Sequence, residues 1–236
     1  MTTLQHVLTE LKQQADEQTR KTYLRHGAPD SIIGVKVGDL KVIAKTIKGH
    51  QKLALELYDS GNPDAQYLAG MIADGAQMTK QQLDRWTKNA SWHMISEYTV
   101  PGVACESKHA RELAMKWIES KKVSLATSGW CTYAGIVAMQ PDEELDLSEI
   151  RQLIKQIVET IDSVDDHVRC VMNSFVISVG SYVKPLLKEA KAAAKKLGTV
   201  SVEMGDTACK VPVATEYIAK VEGLGRIGKK RKTMKC

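Results

Sequence analysis

Apolar residues recur at helical spacing along most of the chain. Stripes at intervals of three and four residues cover residues 40–47, 147–161 and 186–197, and the last of them stops at Gly198. A period near 3.6 is typical of amphipathic helices, and the acidic residues in 142–149 favour a helix N-terminus. We therefore predict roughly ten to thirteen helices of about 10–16 residues, joined by short loops.

Glycine and proline mark the places where we expect these helices to end. A different pattern occurs in Thr199–Met204, where apolar and polar residues alternate, and it predicts a short strand or extended segment. The Cys209–Pro212 stretch after it is expected to turn into a last helix over 213–221. The predicted breaks fall at Gly27–Pro29, Gly61–Pro63, Pro101–Gly102, Gly129, Gln140–Pro141 and Gly180.

Three segments indicate an internal repeat. Trp92–Ser96, Cys131–Gly135 and Cys170–Ser174 start 39 residues apart each time, and each opens a helical stretch. Periods near 40 residues are typical of HEAT-type helix pairs, which bury their apolar faces by stacking on one another. With 43% hydrophobic but only 5% aromatic residues, the predicted fold is all-α, a HEAT-like helical-repeat solenoid (an α-α superhelix) with a concave groove.

Several features of the sequence favour the cytoplasm as the compartment of this protein. No apolar run approaches the roughly 18–20 residues needed to cross a bilayer, and the N-terminus lacks the pattern of a signal peptide. The five cysteines are odd in number and contain no C-x-x-C pair, so reduced thiols are expected rather than disulfides or a zinc site. We expect a cytoplasmic monomer with no cofactor and no membrane contact. The cysteines are Cys105, Cys131, Cys170, Cys209 and Cys236.

Positive charge is concentrated at the end of the chain. Residues 226–236 carry six of the 33 basic residues and none of the 28 acidic ones, so the remainder is close to neutral. Such a run is expected to stay solvated and to bind a polyanion, most often nucleic acid, although it could equally be a solubilising tail. We predict a repeat domain over 1–222 and a basic tail over 223–236, in which Gly223–Gly228 forms a flexible hinge.

Three short segments resemble the AlkD-like DNA alkylation repair family. Ile32–Lys45 is similar to the family's N-terminal "YGVKxxDLRxxAK" segment, and Leu83–Trp86 with Ala90–Trp92 is similar to its central tryptophan-bearing helix. The resemblance implies a HEAT-like solenoid that holds duplex DNA on its concave face. It also implies an ability to excise N3- and N7-alkylated purines.

The catalytic group that the resemblance implies is absent at the matching position. Active members carry an Asp four residues after the tryptophan, and counting from Trp92 gives Ser96. Serine cannot stabilise positive charge on a sugar. Glu97 is one position further, about 100° around an α-helix, so we expect it to face elsewhere. Glu97 and Asp166 remain the candidate catalytic carboxylates.

Other DNA contacts follow from the same alignment and from charge. The family's groove arginine falls at Thr132 or Tyr133, and its second tryptophan falls near Met172–Asn173. Arg169 is expected to contact phosphate, or else to form a surface ion pair with Asp165. The predicted DNA-binding residues are Trp92, Ser96, Tyr133, Arg169, Asn173, Lys229, Lys230, Arg231 and Lys232.

A nearby acidic cluster suggests a metal at first sight. It comprises Asp162, Asp165, Asp166 and His167. Since acids at a helix start complement the helix dipole, a capped N-terminus is the simpler interpretation, and no metal site is predicted.

Three functional hypotheses remain open. The first is a protein that binds duplex, damaged or branched DNA with weak or no base excision. The second is a glycosylase releasing alkylated purines, and the third is a helical adaptor for a protein partner.

Overall fold

The computed structural model describes residues 2–203 and 210–235. In these residues the chain forms thirteen α-helices and no strand, so the all-α prediction is confirmed. The helices are α1 (Leu4–Gln13), α2 (Glu17–Arg25), α3 (Val37–Thr46), α4 (Gln51–Asp59), α5 (Pro63–Ile72), α6 (Lys80–Lys88), α7 (Val100–Ala104), α8 (Ala110–Ile118), α9 (Val123–Met139), α10 (Leu147–Thr160), α11 (Asp166–Tyr182), α12 (Leu187–Leu197) and α13 (Ala214–Gly223). A π-helical turn over Ile95–Thr99 leads directly into α7.

Consecutive helices from α4 onward pack as pairs in two layers. The first layer holds α4, α6, α8, α10 and α12. The second layer holds α5, the π-helical turn with α7, α9, α11 and α13, each of which contacts the next. The three segments spaced by 39 residues all belong to the second layer, because each lies in the second element of a successive pair.

The first layer is joined across its surface by ion pairs. Arg85 bonds Asp59, Lys116 bonds Asp84, and Arg151 bonds Glu189, each linking one first-layer helix to its neighbour. Exposed pairs of this kind contribute at most about 1 kcal/mol each. The solenoid therefore depends mainly on its apolar core, in which the rings of Trp86, Trp117 and Trp130 are fully buried.

A buried carboxylate holds the segment that precedes α3. Asp64, in the first turn of α5, accepts hydrogen bonds from the backbone N–H groups of Ile33, Gly34 and Val35 at 2.7–3.2 Å. Burial raises the pKa of Asp64, and these three donors offset part of that rise. Gly34 has φ +90° and lies against the backbone of Arg20, so this motif needs a residue without Cβ.

Several predicted breaks lie inside helices. Pro101–Gly102 belong to α7, Gly129 lies in the middle of α9, and Gly180 lies near the end of α11. A Cβ on Gly129 would lie 2.5 Å from the backbone N of Ile118, so here glycine permits close helix approach. The interpretation of these positions as helix ends is wrong, and at Gly129 and Gly180 the missing Cβ leaves room for a packed neighbour.

The basic end of the chain folds back onto the second layer, where residues 226–235 form a strap. Gly225 and Gly228 adopt positive φ in the turn that follows α13, and the N–H of Gly228 donates to Ser181 O at 2.8 Å. The backbone N–H of Arg231 donates to Ala138 O at 2.8 Å. This segment is a structured turn rather than the predicted flexible hinge.

Two strap lysines lie against helix ends and acidic side chains. Lys230 Nζ bonds Val137 O at 2.9 Å and Asp142 at 2.8 Å. Lys235 Nζ bonds Ala73 O at 2.6 Å and also pairs with Glu106. These side chains are only 20% and 18% exposed, so the expectation of a fully solvated tail is wrong.

The remaining predictions for the fold concern one segment and the membrane. Residues 199–203 form no strand, whereas Met204, Cys209 and Cys236 lie outside the described residues. In the described part of the chain no single helix is long and apolar enough to span a bilayer. One pair, Asp166–Tyr182 with Lys184–Leu197, has the length and apolar character jointly but is bent by 115°.

The close approach at Gly129 yields a test of helix packing. Gly129→Ala should lower the free energy of unfolding by about 1–3 kcal/mol, because the new methyl group meets the backbone of α8, which cannot move aside alone. Gly38→Ala is the control. Nothing lies within 4 Å of its added Cβ, so it should be neutral or stabilise by up to about 1 kcal/mol. Urea denaturation measures both, and equal effects would contradict the packing role of Gly129.

Candidate nucleic-acid interface

One cavity lies between α2, residues 92–98 and the N-terminus of α11. Its volume is about 550 Å³, and we call it the Glu97 cavity. The Trp92 ring is partly buried in its wall and lies 5.6 Å from the ring of Tyr23 and 4.9 Å from that of His93. The cavity therefore combines aromatic walls with titratable groups. The side chains that determine its chemistry are Tyr23, Trp92, His93, Glu97, His167 and Cys170.

The carboxylate of Glu97 is the buried anion of this cavity. It is 11% exposed and lies 3.1 Å from Nδ1 of His167. Burial raises the pKa of Glu97, and the hydrogen bond from His167 offsets part of that rise. The same bond raises the pKa of His167. Burial, with His167 nearby, lowers the pKa of His93 to about 4, so the ring of His93 is neutral at pH 7.

Ser96 does not reach this cavity. It is buried against α9, where its hydroxyl accepts from Thr127 at 3.2 Å and its carbonyl accepts from Ser128 at 2.7 Å. The π-helical turn changes the angular spacing of side chains, so counting four residues along an α-helix from Trp92 gives the wrong position. The predicted placement of Ser96 on the groove is wrong, and Glu97 faces the cavity instead.

Tyr133 and Asn173 are also buried away from the surface. Tyr133 points toward the first layer and bonds Glu149 of α10 through its hydroxyl. Asn173 donates to Pro212 O at 2.9 Å, which ties α11 to the segment leading into α13. Both predicted groove positions are wrong, because these side chains face the protein interior. The surface of α11 that lines the cavities, which we call its inner surface, is formed by other residues of that helix, such as Cys170 and Ser174.

Arg169 and Asp166 hold together the loops around the start of α11. The guanidinium of Arg169 donates to Ile161 O at 3.2 Å and to Ser201 O at 3.0 Å, and it pairs with Asp166. Asp166 also accepts from the N–H of Glu203 at 2.7 Å. Arg169 thus fastens two loops together, and the expected ion pair is with Asp166 rather than Asp165.

The thiols near Glu97 are neutral groups. Burial raises the pKa of Cys170 to about 11 and that of Cys131 well above its ordinary value, with the charge of Glu97 adding to both. Cys105, Cys131 and Cys170 are free in the described chain. Within residues 2–203 and 210–235, no three His, Cys, Asp or Glu side chains are placed to hold a metal ion.

A second, larger cavity lies between α11, α13 and the strap. Its volume is about 950 Å³, and we call it the strap cavity. Small hydroxyl side chains of α11 form its floor: Ser174, Ser178 and Ser181. One face of α13 and the turn after it form a wall with Tyr217, Lys220, Val221 and Leu224, and Tyr98 lies between this cavity and the Glu97 cavity.

The cations at the mouth of the strap cavity remain exposed. Arg226, Lys229, Arg231 and Lys232 line it, whereas Lys230 is turned inward to Asp142. Among the described residues that line this cavity, none has an anionic side chain. Because Lys230 and Lys235 anchor the strap, the exposed cations form a fixed positive edge that suits phosphates. The predicted set of tail residues thus divides into three exposed cations and one structural lysine.

Some residues of this surface were not predicted from the sequence. Tyr217, Lys220, Val221 and Leu224 have helical spacing and could have been noticed as a mixed aromatic and basic face. No sequence signal pairs Glu97 with His167, because 70 residues separate them.

Comparisons with known proteins fit this architecture. A family model described as DNA alkylation repair enzyme matches residues 7–202. An uncharacterised protein of Listeria innocua is 34% identical over 227 residues, covering 93% of this chain and 97% of the relative. One of Listeria monocytogenes is 33% identical with the same coverage.

A solved structure extends the likeness to three dimensions. It is described as belonging to a new family of proteins related to the HEAT-like repeat DNA glycosylases with affinity for branched DNA structures. It matches with a TM-score of 0.91 and 35% identity over 100% of both chains. The HEAT-like fold predicted from the 39-residue spacing is confirmed by this match.

The geometry of the Glu97 cavity predicts the titration of His167. In Glu97→Gln the pKa of His167 should fall, because the amide keeps the shape but removes the negative charge. Since the folded-state pKa of His167 is raised, the pair stabilises the fold below about pH 6.5. That stabilisation is lost as pH rises through the raised pKa.

Proton NMR of the histidine rings measures this shift. Glu159→Gln, in the first layer and well exposed, is the matched control. A His167 titration that is the same in Glu97→Gln as in the unaltered protein would contradict the pairing.

Proposed function

This chain belongs to the family of DNA alkylation repair enzymes, and we propose that it binds branched or otherwise distorted DNA with weak or no base excision. Support comes from the solved relative, described as having affinity for branched DNA structures. The observation that carries the proposal is the anchored row of exposed cations along the strap cavity. We propose that the binding unit is a monomer and that it acts in the cytoplasm.

The inner surface of α11 connects the two cavities. Its residues Asp166, His167 and Cys170 line the Glu97 cavity, and its hydroxyl-bearing residues line the strap cavity. Seventeen residues of helix span about 25 Å, which is long enough to contact several phosphates of one DNA arm.

Charge differs sharply along this surface. Glu97 would repel a phosphate placed beside it, whereas Lys229, Arg231 and Lys232 attract one. We infer that the backbone of the DNA lies toward the strap and that an unstacked or distorted position lies toward Trp92 and Glu97. A uniformly basic groove would fit any duplex equally well, so this asymmetry favours distorted structures.

The salt dependence of binding tests the role of the strap cations. The combined substitution Lys229→Gln, Arg231→Gln and Lys232→Gln should weaken binding to a four-way junction. It should also reduce the slope of log K against log salt by about 0.9 for each phosphate that the strap no longer neutralises. Fluorescence anisotropy over a salt series measures both quantities.

The control removes equal charge from elsewhere. Lys52→Gln, Lys155→Gln and Lys195→Gln together change three cations that line neither cavity. Binding of both variants with the same slope as the unaltered protein would refute the strap as a phosphate-binding surface. Negligible DNA binding at moderate salt, with a protein partner co-purifying, would favour the adaptor hypothesis instead.

A second candidate function rests on Glu97. Its largely buried carboxylate faces a cavity walled by Trp92 and is oriented by His167. A fixed anion of this kind can stabilise positive charge that develops on a sugar during cleavage of the glycosidic bond. The second candidate is therefore a glycosylase releasing N3- or N7-alkylated purines, with Glu97 in place of the absent Asp.

Base release from DNA containing 7-methylguanine tests this candidate. With enzyme in excess, the unaltered protein should release the base, and Glu97→Gln should slow release by about 10²–10³-fold. Glu159→Gln should retain the full rate. Chromatography of the free base measures the rate of release. If the unaltered protein releases no base, the glycosylase hypothesis is eliminated and the DNA-binding proposal stays intact.

A further inference from the structure

The strap cavity has the size of a cleft rather than that of a groove for a duplex. Its volume of about 950 Å³ lies in the range of sites that enclose small ligands. A compact space of that volume is about 12 Å across, which is no wider than the major groove of B-DNA and therefore much narrower than the whole duplex. A whole duplex therefore cannot enter, whereas a single strand, which is far thinner, can.

The lining offers partners for each part of a nucleotide. Tyr217 is 47% exposed and Leu224 is 60% exposed, and both belong to the wall that α13 and its following turn form. An exposed aromatic ring provides a stacking surface for any base. The cations at the mouth line the same cavity. A strand bound there would therefore place its phosphates beside these cations and a base against the ring of Tyr217.

A buried hydroxyl on the floor gives an independent indication of a ligand. Ser181 is 3% exposed, and its Oγ has no hydrogen-bond partner among the described residues. Buried polar groups are normally satisfied. Ser181 also contributes to the lining of the strap cavity, so its unsatisfied hydroxyl lies beside the space that a bound strand would occupy.

The arrangement of charge favours a polymer over a single phosphate. The exposed cations are spread along the strap between Arg226 and Lys232, without an anion between them. A lone phosphate would need converging donors, whereas a row of cations suits a backbone with repeated charge.

We propose that the strap cavity binds an unpaired DNA strand, with a base stacked on Tyr217 and its phosphates on the strap cations. This inference rests on the proposed function, because forks and flaps are branched structures that carry an unpaired strand beside their duplex arms. It adds a separate subsite for that strand.

The experiment compares three labelled probes with the full-length protein: a ten-nucleotide oligothymidine, a forked duplex with the same unpaired arms, and a blunt duplex. Tyr217→Ala should weaken binding of the first two about tenfold, because base–aromatic stacking is removed. Binding of the blunt duplex should not change. Tyr217→Phe retains the ring and should bind all three probes as the unaltered protein does.

Every outcome decides the inference. Unchanged binding of the forked duplex by Tyr217→Ala would overturn it, as would an equal weakening for the blunt duplex. Binding of the forked duplex without any binding of oligothymidine would overturn this subsite alone and leave the proposed function standing. Failure of the unaltered protein to bind any DNA would overturn both. Thermal unfolding of each variant checks that the fold is intact.

Discussion

Helix C-termini impose the constraint on which this architecture depends. Each helix leaves its last carbonyl groups without partners in its own backbone and carries partial negative charge there. The C-terminal ends of the second-layer helices lie along one side of that layer. The strap crosses the end of α11 first, then the end of α9 and last the end of α5. It bonds Ser181 O of α11, Val137 O and Ala138 O of α9, and Ala73 O after α5. The basic composition of the tail is therefore partly a requirement of the fold.

This dual use of charge explains how one short segment can be both ordered and attractive to anions. Lys230 and Lys235 turn inward and neutralise Asp142 and Glu106, which removes the repulsion that would otherwise keep a basic run extended. Their neighbours in sequence then point outward from a fixed backbone. Cations held in place lose less conformational entropy on meeting a phosphate than those on a free tail, so anchoring also favours binding.

The parts of the fold that follow from local periodicity could be predicted from the sequence. The stripes over 147–161 and 186–197 correspond to α10 and α12, and α12 ends at Gly198, whose positive φ favours glycine. The prediction for Gly129 was wrong because a glycine that lets two helices touch looks, in sequence, like one that ends a helix.

The candidate site was less predictable, for reasons of register and distance. A π-helical turn has no clear sequence signature, yet it decides that Glu97 rather than Ser96 faces the cavity. Only the stacking of helix pairs brings His167 near Glu97.

The bond between Lys235 and Ala73 has a consequence for how the molecule is made. Repeat solenoids usually fold as linear arrays in which each unit depends only on its neighbours. Here the last described residue joins the end of a helix from the first third of the chain, spanning 162 positions. A nascent chain cannot form this closure until residue 235 has emerged from the ribosome. The contacts of the strap with α5, α9 and α11 therefore form only after every repeat that they join has been synthesised.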